Sequence, residues 1–311
     1  MLNRRLLPQT DLVLSDLGMG TADVAPANAD RFAAIMRQYR DAGGNFLDTA
    51  HCYMFFNANG AGASECTIGQ YMKREGRGDL VVGTKGGHPG WDGYRKVDRY
   101  LSPERLRADI EDSLGRLRVE TIDLFWLHRD DPRETVEAII DSLNAEIARG
   151  DLRYIAASNW RPERIDAANA YAASKGLQGF VASQPQWSLA VRNGGASDTT
   201  SVGPADLAWH RRTGFAMVPY SSAGGGFIAT GGQRGQKGYD NPISRRRLAA
   251  AERIAGELGV KPGQVALRYL IDQPFPCFPL TATRNDEHLR DALGIGEFRL
   301  SAEHIAQLET D

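Results

Sequence analysis

The feature that most constrains the fold of this chain is a regular alternation of short apolar runs with longer stretches of helical spacing. The apolar runs are bounded by turn residues and predict β-strands at 17–20, 45–48, 80–85, 122–128, 153–158, 180–184, 216–220 and 277–281. Helices are predicted between and after them at 30–45, 64–74, 102–117, 133–149, 161–176, 205–213, 244–273 and 286–293.

The predicted helix at 133–149 illustrates the quality of the pattern. Val136, Ile140, Leu143 and Ile147 recur at three- and four-residue steps and therefore share one helix face. Gly150 follows as a helix stop.

Repeated strand–helix units require a parallel sheet with right-handed crossovers. In a chain of 311 residues such units predict an α/β fold, a (β/α)8 TIM barrel, as a single domain over 1–311. The rival, an open doubly wound sheet, lacks its phosphate fingerprint, because Gly18 and Gly20 are not followed by the third glycine. Residues 1–14 are expected to cap the bottom of the barrel, and the long loops 49–63 and 221–243 to be functional or mobile.

Composition limits the classes of partner. The formal net charge is −2, so no global attraction to nucleic acid or to an anionic membrane is expected. Cys52, Cys66 and Cys277 form neither an even set nor a metal-ligand spacing, which favours a reducing compartment. The first residues lack the apolar core of a secretory signal, and no apolar run approaches the ~20 residues of a membrane span. We therefore expect a cytoplasmic protein without a nucleic-acid or membrane partner, and the oligomeric state stays open.

Polar side chains stand at the ends of most predicted strands. Buried parallel strands are usually apolar throughout, so packing alone does not account for this set. Its members are Asp48, Lys85, His128, Ser158, Asn159, Gln184 and Tyr220, with Tyr53 on the loop after Asp48. Active sites of barrels lie at this end of the strands.

Lys85, Asp48 and Tyr53 suggest acid–base chemistry. A lysine beside Tyr53 would stabilise tyrosinate and lower the tyrosine pKa from ~10, making Tyr53 a general acid poised nearer neutral pH. His128 would then donate a hydrogen bond to a substrate oxygen.

The ordered motifs resemble the aldo-keto reductase family over nearly the whole chain. They are Leu17-Gly18-Met19-Gly20-Thr21, Gly43-Gly44-Asn45-Phe46-Leu47-Asp48-Thr49-Ala50 with Tyr53, Ser64-Glu65, Val82-Gly83-Thr84-Lys85, Asp123-Leu124-Phe125-Trp126-Leu127-His128, Ser158-Asn159-Trp160, Gln184 and Val218-Pro219-Tyr220-Ser221. The resemblance implies a (β/α)8 fold, hydride transfer between a carbonyl and an alcohol, and a nicotinamide cofactor, NADPH, with NADH possible.

The resemblance also implies roles for individual residues. Tyr53 would donate or accept the proton, Lys85 and Asp48 would adjust the pKa of Tyr53, and His128 would orient the carbonyl. The cofactor would be held by Gly20, Thr21, Ala22, Asp48, Ser158, Asn159, Gln184, Tyr220, Ser221, Ser222, Gly224, Gly225, Thr283, Arg284 and His288. Thr283 and Arg284 would hold the adenosine 2′-phosphate, whereas Ala292 and His288 replace the family's frequent Asn and its Arg or Gln.

The substrate would lie above the nicotinamide, against Phe55 and Trp160. Ala22 stands where relatives often carry a bulky aromatic, which suggests a roomier or differently shaped mouth. Together with the Phe55-Phe56 pair it predicts that aromatic or cyclic carbonyls are admitted. One alternative is a cofactor-binding regulatory subunit without significant turnover. Another is a metal-dependent barrel hydrolase, although the histidines at 51, 88, 128, 210, 288 and 304 show no metal-ligand spacing, so no metal is expected.

Overall fold

An antiparallel hairpin precedes the main sheet in this computed structural model, which describes residues 1–56, 60–91, 94–194 and 199–310. The hairpin strands are β1 (Arg4–Leu6) and β2 (Val13–Ser15). Leu7, Leu12 and Leu14 are buried against side chains from inside the main sheet, such as Phe46. The hairpin therefore closes one end of the sheet's interior, which confirms the role predicted for residues 1–14.

The main sheet is parallel and eight-stranded, in the order β10-β3-β4-β5-β6-β7-β8-β9. Its strands are β3 (Gly18–Gly20), β4 (Phe46–Asp48), β5 (Val81–Gly86), β6 (Ile122–Leu127), β7 (Leu152–Ser158), β8 (Phe180–Gln184), β9 (Ala216–Met217) and β10 (Leu280–Thr281).

Backbone hydrogen bonds between the first and last segments of this order close the sheet into a ring. The Phe278 amide donates to the Met217 carbonyl at 2.8 Å, and the Leu280 amide donates to the Pro219 carbonyl at 3.0 Å. The result is the predicted (β/α)8 barrel. Strand bounds differ from the prediction mainly at the last two strands, where the extended residues pair over only two positions each.

Helices surround the barrel. They are α1 (Ala29–Asp41), α2 (Ala63–Glu75), α3 (Pro103–Leu117), α4 (Val136–Arg149), α5 (Pro162–Lys175), α6 (Pro204–Thr213), α7 (Gln236–Tyr239), α8 (Pro242–Leu258), α9 (Pro262–Ile271), α10 (Asp286–Leu293) and α11 (Ala302–Glu309). Gly150 ends α4 in the left-handed conformation with φ +88°, as predicted from its position.

Two predictions of local structure were wrong, and one helix was missed. The single helix over 244–273 is two helices, because Gly259 ends α8 at φ +67° and Pro262 starts α9. The loop predicted at 221–243 contains α7 and 3₁₀ turns at 224–226 and 228–230. Helix α11 was missed, although Ser301 is a typical N-cap. Residues 57–59 of the other predicted loop lie outside the described residues.

Candidate active site

The carboxyl ends of the barrel strands bring the predicted polar residues to one end of the ring. Asp48 and Gln184 are the last residues of β4 and β8, and Ser158 ends β7. Lys85 is next to last in β5, and His128 follows β6. Because neighbouring parallel strands run in register, these side chains converge over the end of the barrel opposite the N-terminal hairpin.

Lys85 lies between Asp48 and Tyr53. Its Nζ donates hydrogen bonds to Asp48 Oδ2 at 2.5 Å, to the Thr49 carbonyl at 2.7 Å and to the Tyr53 hydroxyl at 3.2 Å. These three bonds use all the donors of an ammonium group. An ammonium cannot accept, so the Tyr53 oxygen accepts from Lys85 and its own O–H stays available to another acceptor. The side chains of Lys85 and Asp48 are each only 2% exposed.

Burial controls the acidity of this cluster. It raises the pKa of Tyr53 above its ordinary value, and the opposing charge of Lys85 is too weak to reverse that shift. The expectation that Lys85 lowers the Tyr53 pKa overall was therefore wrong. Burial by itself would lower the pKa of Lys85, but Asp48 and Tyr53 outweigh it and raise that pKa, so Lys85 remains charged.

His128 is held beside Tyr53. Its backbone N–H donates to the Gly86 carbonyl at 2.8 Å, and its carbonyl accepts from Asn159 Nδ2 at 3.1 Å. The imidazole meets the Tyr53 ring edge-on, with centroids 5.9 Å apart. Burial, and then the charges of Arg129 and Lys85, lower the pKa of His128 well below its usual range. The imidazole is therefore neutral near pH 7.

The residues predicted to hold a nicotinamide carboxamide interlock around this cluster. Gln184 Nε2 donates to Asp48 Oδ1 at 3.0 Å, and Ser158 Oγ donates to the Gln184 carbonyl at 2.8 Å. Asn159 adopts φ +60°, a left-handed conformation that asparagine tolerates better than most residues. Its Oδ1 accepts from the Tyr220 hydroxyl at 2.9 Å. These bonds link the set to Asp48, so it borders the acid–base cluster directly.

A cavity of about 540 Å³ extends from this cluster across the end of the barrel. Asp48, Tyr53 and Tyr220 line it, and so do Thr283 and His288. Its walls also include the predicted cofactor residues Gly20, Thr21, Ala22, Ser221, Ser222 and Gly225.

The glycines at 224–226 all have positive φ, a backbone conformation that favours glycine. Gly224 has φ +54°, and a Cβ there would meet Ala190 and Ser188 at 3.2 Å. Gly226 has φ +84° and lines the cavity together with Gly225, whereas Gly224 is not among the lining residues. A run without side chains lets the backbone approach a ligand closely.

Arg284 is engaged elsewhere. Its guanidinium donates to Asp23 Oδ1 at 2.6 Å and to the Thr283 carbonyl at 2.7 Å, and its side chain is 15% exposed. It is not among the residues lining the cavity, whereas Thr283 and His288 are. A phosphate bound by Arg284 would therefore compete with Asp23.

Of the two predicted substrate contacts, Phe55 lies beside the acid–base cluster and Trp160 does not. Phe55 packs against the small cluster of Cys52 and Tyr94 that Tyr53 also packs against, and it stacks on Trp91 at 4.8 Å, but it is not among the residues lining the cavity described above. Trp160 is 3% exposed and packs edge-on against Phe180 in the layer between barrel and helices. Its position next to Asn159 in sequence suggested a site residue, but the side chain points into the packing layer.

Other cavity residues were missed by the sequence analysis. Arg234 lies just before α7, and Lys261 and Gln264 lie at the start of α9. They are far in sequence from any strand end, so no local signal marked them. Lys261 Nζ is paired with Asp291 at 2.7 Å, and Asp291 also lines the cavity.

Neither a metal-ligand cluster nor a bilayer-spanning helix occurs among the residues that the structure describes. Within these ranges no group of three or more His, Cys, Asp or Glu side chains could hold a metal ion. Of the described helices, none is long and apolar enough to span a bilayer.

Comparison with known proteins decides the family. The sequence model of the aldo/keto reductase family matches residues 16–310. The chain belongs to this family. It is therefore an oxidoreductase, and its family uses nicotinamide cofactors.

Curated relatives cover almost the whole chain at moderate identity. Norsolorinic acid reductase B of Dothistroma septosporum is 26% identical over 331 residues, which cover 98% of this chain and 80% of the relative. Aryl-alcohol dehydrogenase [NADP(+)] of Phanerodontia chrysosporium is 28% identical over 313 residues, covering 93% of this chain and 76% of the relative. A thermostable aldo-keto reductase crystallised with the inhibitor epalrestat superimposes with a TM-score of 0.74 at 21% identity, covering 99% of each chain. That structural likeness supports the fold.

Proposed function

We propose that this aldo-keto reductase interconverts an aldehyde or ketone and its alcohol with NADPH, using Tyr53 as the general acid and base. The observation that carries the proposal is the position of Lys85, whose Nζ joins Asp48 at 2.5 Å to the Tyr53 hydroxyl at 3.2 Å. A buried ion pair costs desolvation free energy and contributes little to stability, so its place beside a tyrosine favours a chemical role.

The cavity fits a nicotinamide cofactor. It is long, glycine-lined at 225 and 226, and ends at the Tyr53 cluster. Gln184, Ser158 and Asn159 would hold the carboxamide, Tyr220 would lie against the ring, and Ser221 with the glycines would lie along the pyrophosphate. When bound, the cofactor supplies the hydride.

Tyr53 supplies the proton in the reducing direction. Its raised pKa keeps the hydroxyl protonated at neutral pH, and the bond accepted from Lys85 leaves the O–H to point toward the substrate oxygen. As the proton leaves, the charge of Lys85 stabilises the resulting tyrosinate. Asp48 in turn keeps Lys85 charged and in place.

His128 orients the substrate. Because its imidazole is neutral, one ring nitrogen carries a proton and can donate to the carbonyl oxygen. This donor and the Tyr53 hydroxyl, on rings 5.9 Å apart, would bind the same oxygen and polarise the carbonyl.

The substrate proposed is an aromatic or cyclic carbonyl. Phe55 and Trp91 form a stacked pair near Tyr53, and the Trp91 and Phe56 side chains are 40% and 74% exposed. Flat aromatic faces next to a catalytic group suit a flat aromatic ligand. The name of one relative, aryl-alcohol dehydrogenase, refers to an aromatic alcohol.

For the cofactor form, we propose that a 2′-phosphate binds near Thr283 and His288 and draws Arg284 away from Asp23. The phosphate carries roughly two negative charges, whereas the Asp23 carboxylate carries one, so Arg284 would be attracted more strongly to the phosphate. A guanidinium also binds phosphate in a bidentate manner.

The function is tested by titrating NADPH into the purified protein and following its intrinsic fluorescence. A panel of aromatic and aliphatic aldehydes then follows, with NADPH absorbance as the signal. Saturable binding with turnover of aromatic aldehydes supports the proposal. Saturable binding without turnover of any carbonyl or alcohol would instead favour a regulatory subunit.

A further inference from the structure

A thiol lies against the ring of His128. Cys52 Sγ is 3.5 Å from His128 Nδ1, which is within hydrogen-bond distance for sulfur. Cys52 immediately precedes Tyr53 and is 2% exposed. Among the described residues, the imidazole has no other side-chain hydrogen bond.

We propose that Cys52 is a positioning residue whose thiol donates a hydrogen bond to Nδ1 of His128 and so holds the imidazole as the tautomer protonated on Nε2. That tautomer is the one that can donate from Nε2 to a substrate oxygen. The inference rests on the proposed function for its catalytic consequence, but the tautomer itself exists whether or not the protein turns over a substrate.

The protonation states leave the Cys52 thiol able to donate and one nitrogen of His128 able to accept. Burial raises the pKa of the Cys52 thiol to about 12, so sulfur carries its proton at neutral pH. The pKa of His128 is lowered well below its usual range, so one ring nitrogen is an acceptor. A ring nitrogen accepts well and a thiol sulfur accepts weakly, so S–H donates to Nδ1.

The rest of the surroundings hold the ring but do not choose its tautomer. The His128 backbone is fixed by Gly86 and Asn159, and the rings of Tyr53 and His88 have centroids 5.9 and 4.9 Å from the imidazole centroid. The groups that act on its charge are Arg129, Lys85, His88 and His51, and all four disfavour the imidazolium form. They leave two neutral tautomers, which Cys52 distinguishes.

The size of the expected loss in kcat/KM follows from the free energy of an ordinary neutral hydrogen bond. Such a bond biases an equilibrium roughly two- to tenfold. Without the thiol, His128 would spend part of its time with the proton on Nδ1, where Nε2 presents a lone pair to the substrate oxygen. Removing that bias between two otherwise equal tautomers lowers the Nε2-protonated fraction by at most about twofold, so we expect kcat/KM for aldehyde reduction to fall by up to about twofold, with no change in NADPH binding.

The test compares Cys52→Val, which fills the space without a donor, with Cys52→Ser, which keeps a donor. Cys52→Ala replaces Cys52→Val if the valine variant does not fold. Cys277→Val is the matched control, since Cys277 is also buried and also has a raised thiol pKa but lies among core residues near the N-terminal hairpin.

The first readout is ¹⁵N-histidine NMR of the full chain with NADPH bound, with the His128 signals assigned from a His128→Asn variant. We expect Nε2 to carry the proton in wild type, in Cys52→Ser and in Cys277→Val, and the Nδ1-protonated form to appear in Cys52→Val. The second readout is kcat/KM, expected to decrease in the order wild type, Cys52→Ser, Cys52→Val.

Two results would overturn the proposal. One is an Nδ1-protonated imidazole in wild type, or the same tautomer in wild type and Cys52→Val. The other is a higher kcat/KM for Cys52→Val than for Cys52→Ser, because a purely packing role favours the apolar side chain. If no carbonyl is turned over, the NMR result alone decides the proposal and the failure belongs to the proposed function.

Discussion

Replacing Lys85 by methionine tests how the buried cluster is held together. The substitution keeps the apolar stem but leaves the Asp48 carboxylate buried, with the amide of Gln184 at 3.0 Å as its remaining side-chain donor among the described residues. Removing one partner of a buried ion pair typically costs about 3–5 kcal/mol. With an unfolding entropy of about 2.1 cal/mol/K per residue, a protein of 311 residues should lose roughly 5–8 °C in Tm.

The pH dependence of this loss has a definite sign. Burial raises the pKa of Asp48, and without Lys85 nothing of comparable strength opposes that shift. A carboxyl whose pKa is higher in the folded state destabilises the fold as the pH rises through that pKa. The Tm deficit of Lys85→Met should therefore be full at about pH 7 and smaller at about pH 5.

The assay is differential scanning calorimetry of four proteins. Asp48→Asn/Lys85→Met removes both charges and should recover most of the lost Tm. Arg107→Met is the control, since it breaks an exposed pair with Glu111 and should change the free energy of unfolding by at most about 1 kcal/mol. A Lys85→Met protein as stable as the control, or a deficit that grows toward low pH, would refute this description of the cluster.

Three further outcomes follow from the site. Because the pKa of Tyr53 is raised, kcat for reduction should stay constant through neutral pH and decrease only at alkaline pH. Over the same alkaline range kcat for oxidation should increase. A kcat for reduction that already decreases with rising pH at pH values below about 7 would contradict this. Arg284→Ala should weaken NADPH binding about tenfold or more and leave NADH binding unchanged, whereas Asp23→Asn should strengthen NADPH binding; equal effects on the two cofactors in fluorescence titrations would place the phosphate elsewhere. Ala22→Trp should lower kcat/KM for bulky aromatic aldehydes more than for short aliphatic ones, and equal losses would show that position 22 does not face the substrate.

The barrel and the strand-end residues could be predicted from the sequence because both depend on local patterns. The spacing of apolar residues and the positions of turn residues locate the strands in the sequence. The geometry of a parallel barrel then brings the carboxyl ends of the strands together. Asp48, Lys85 and Gln184 are therefore expected in one cluster on the sequence pattern alone, and they form it.

Other features depend on packing that local patterns do not record. The break between α8 and α9 is an exception, because Gly259 and Pro262 mark it in the sequence and were overlooked. Trp160 follows a strand end yet packs outward against Phe180.

The direction of the pKa shift of Tyr53 also could not be predicted from the sequence. Sequence reveals a nearby lysine but not the degree of burial, and here burial is the larger effect. The pairing of Arg284 with Asp23, residues far apart in the chain, was likewise visible only in the structure.

The most direct test of the central claim is steady-state reduction of an aromatic aldehyde by wild type and Tyr53→Phe, with NADPH affinity measured on the same samples. The substitution removes one hydroxyl and keeps the ring that packs edge-on against His128. If Tyr53 is the proton donor, kcat should fall by about 10²–10⁴-fold while the Kd for NADPH stays nearly unchanged. A variant that keeps half of the wild-type kcat would contradict the account, because the proton would then come from another group.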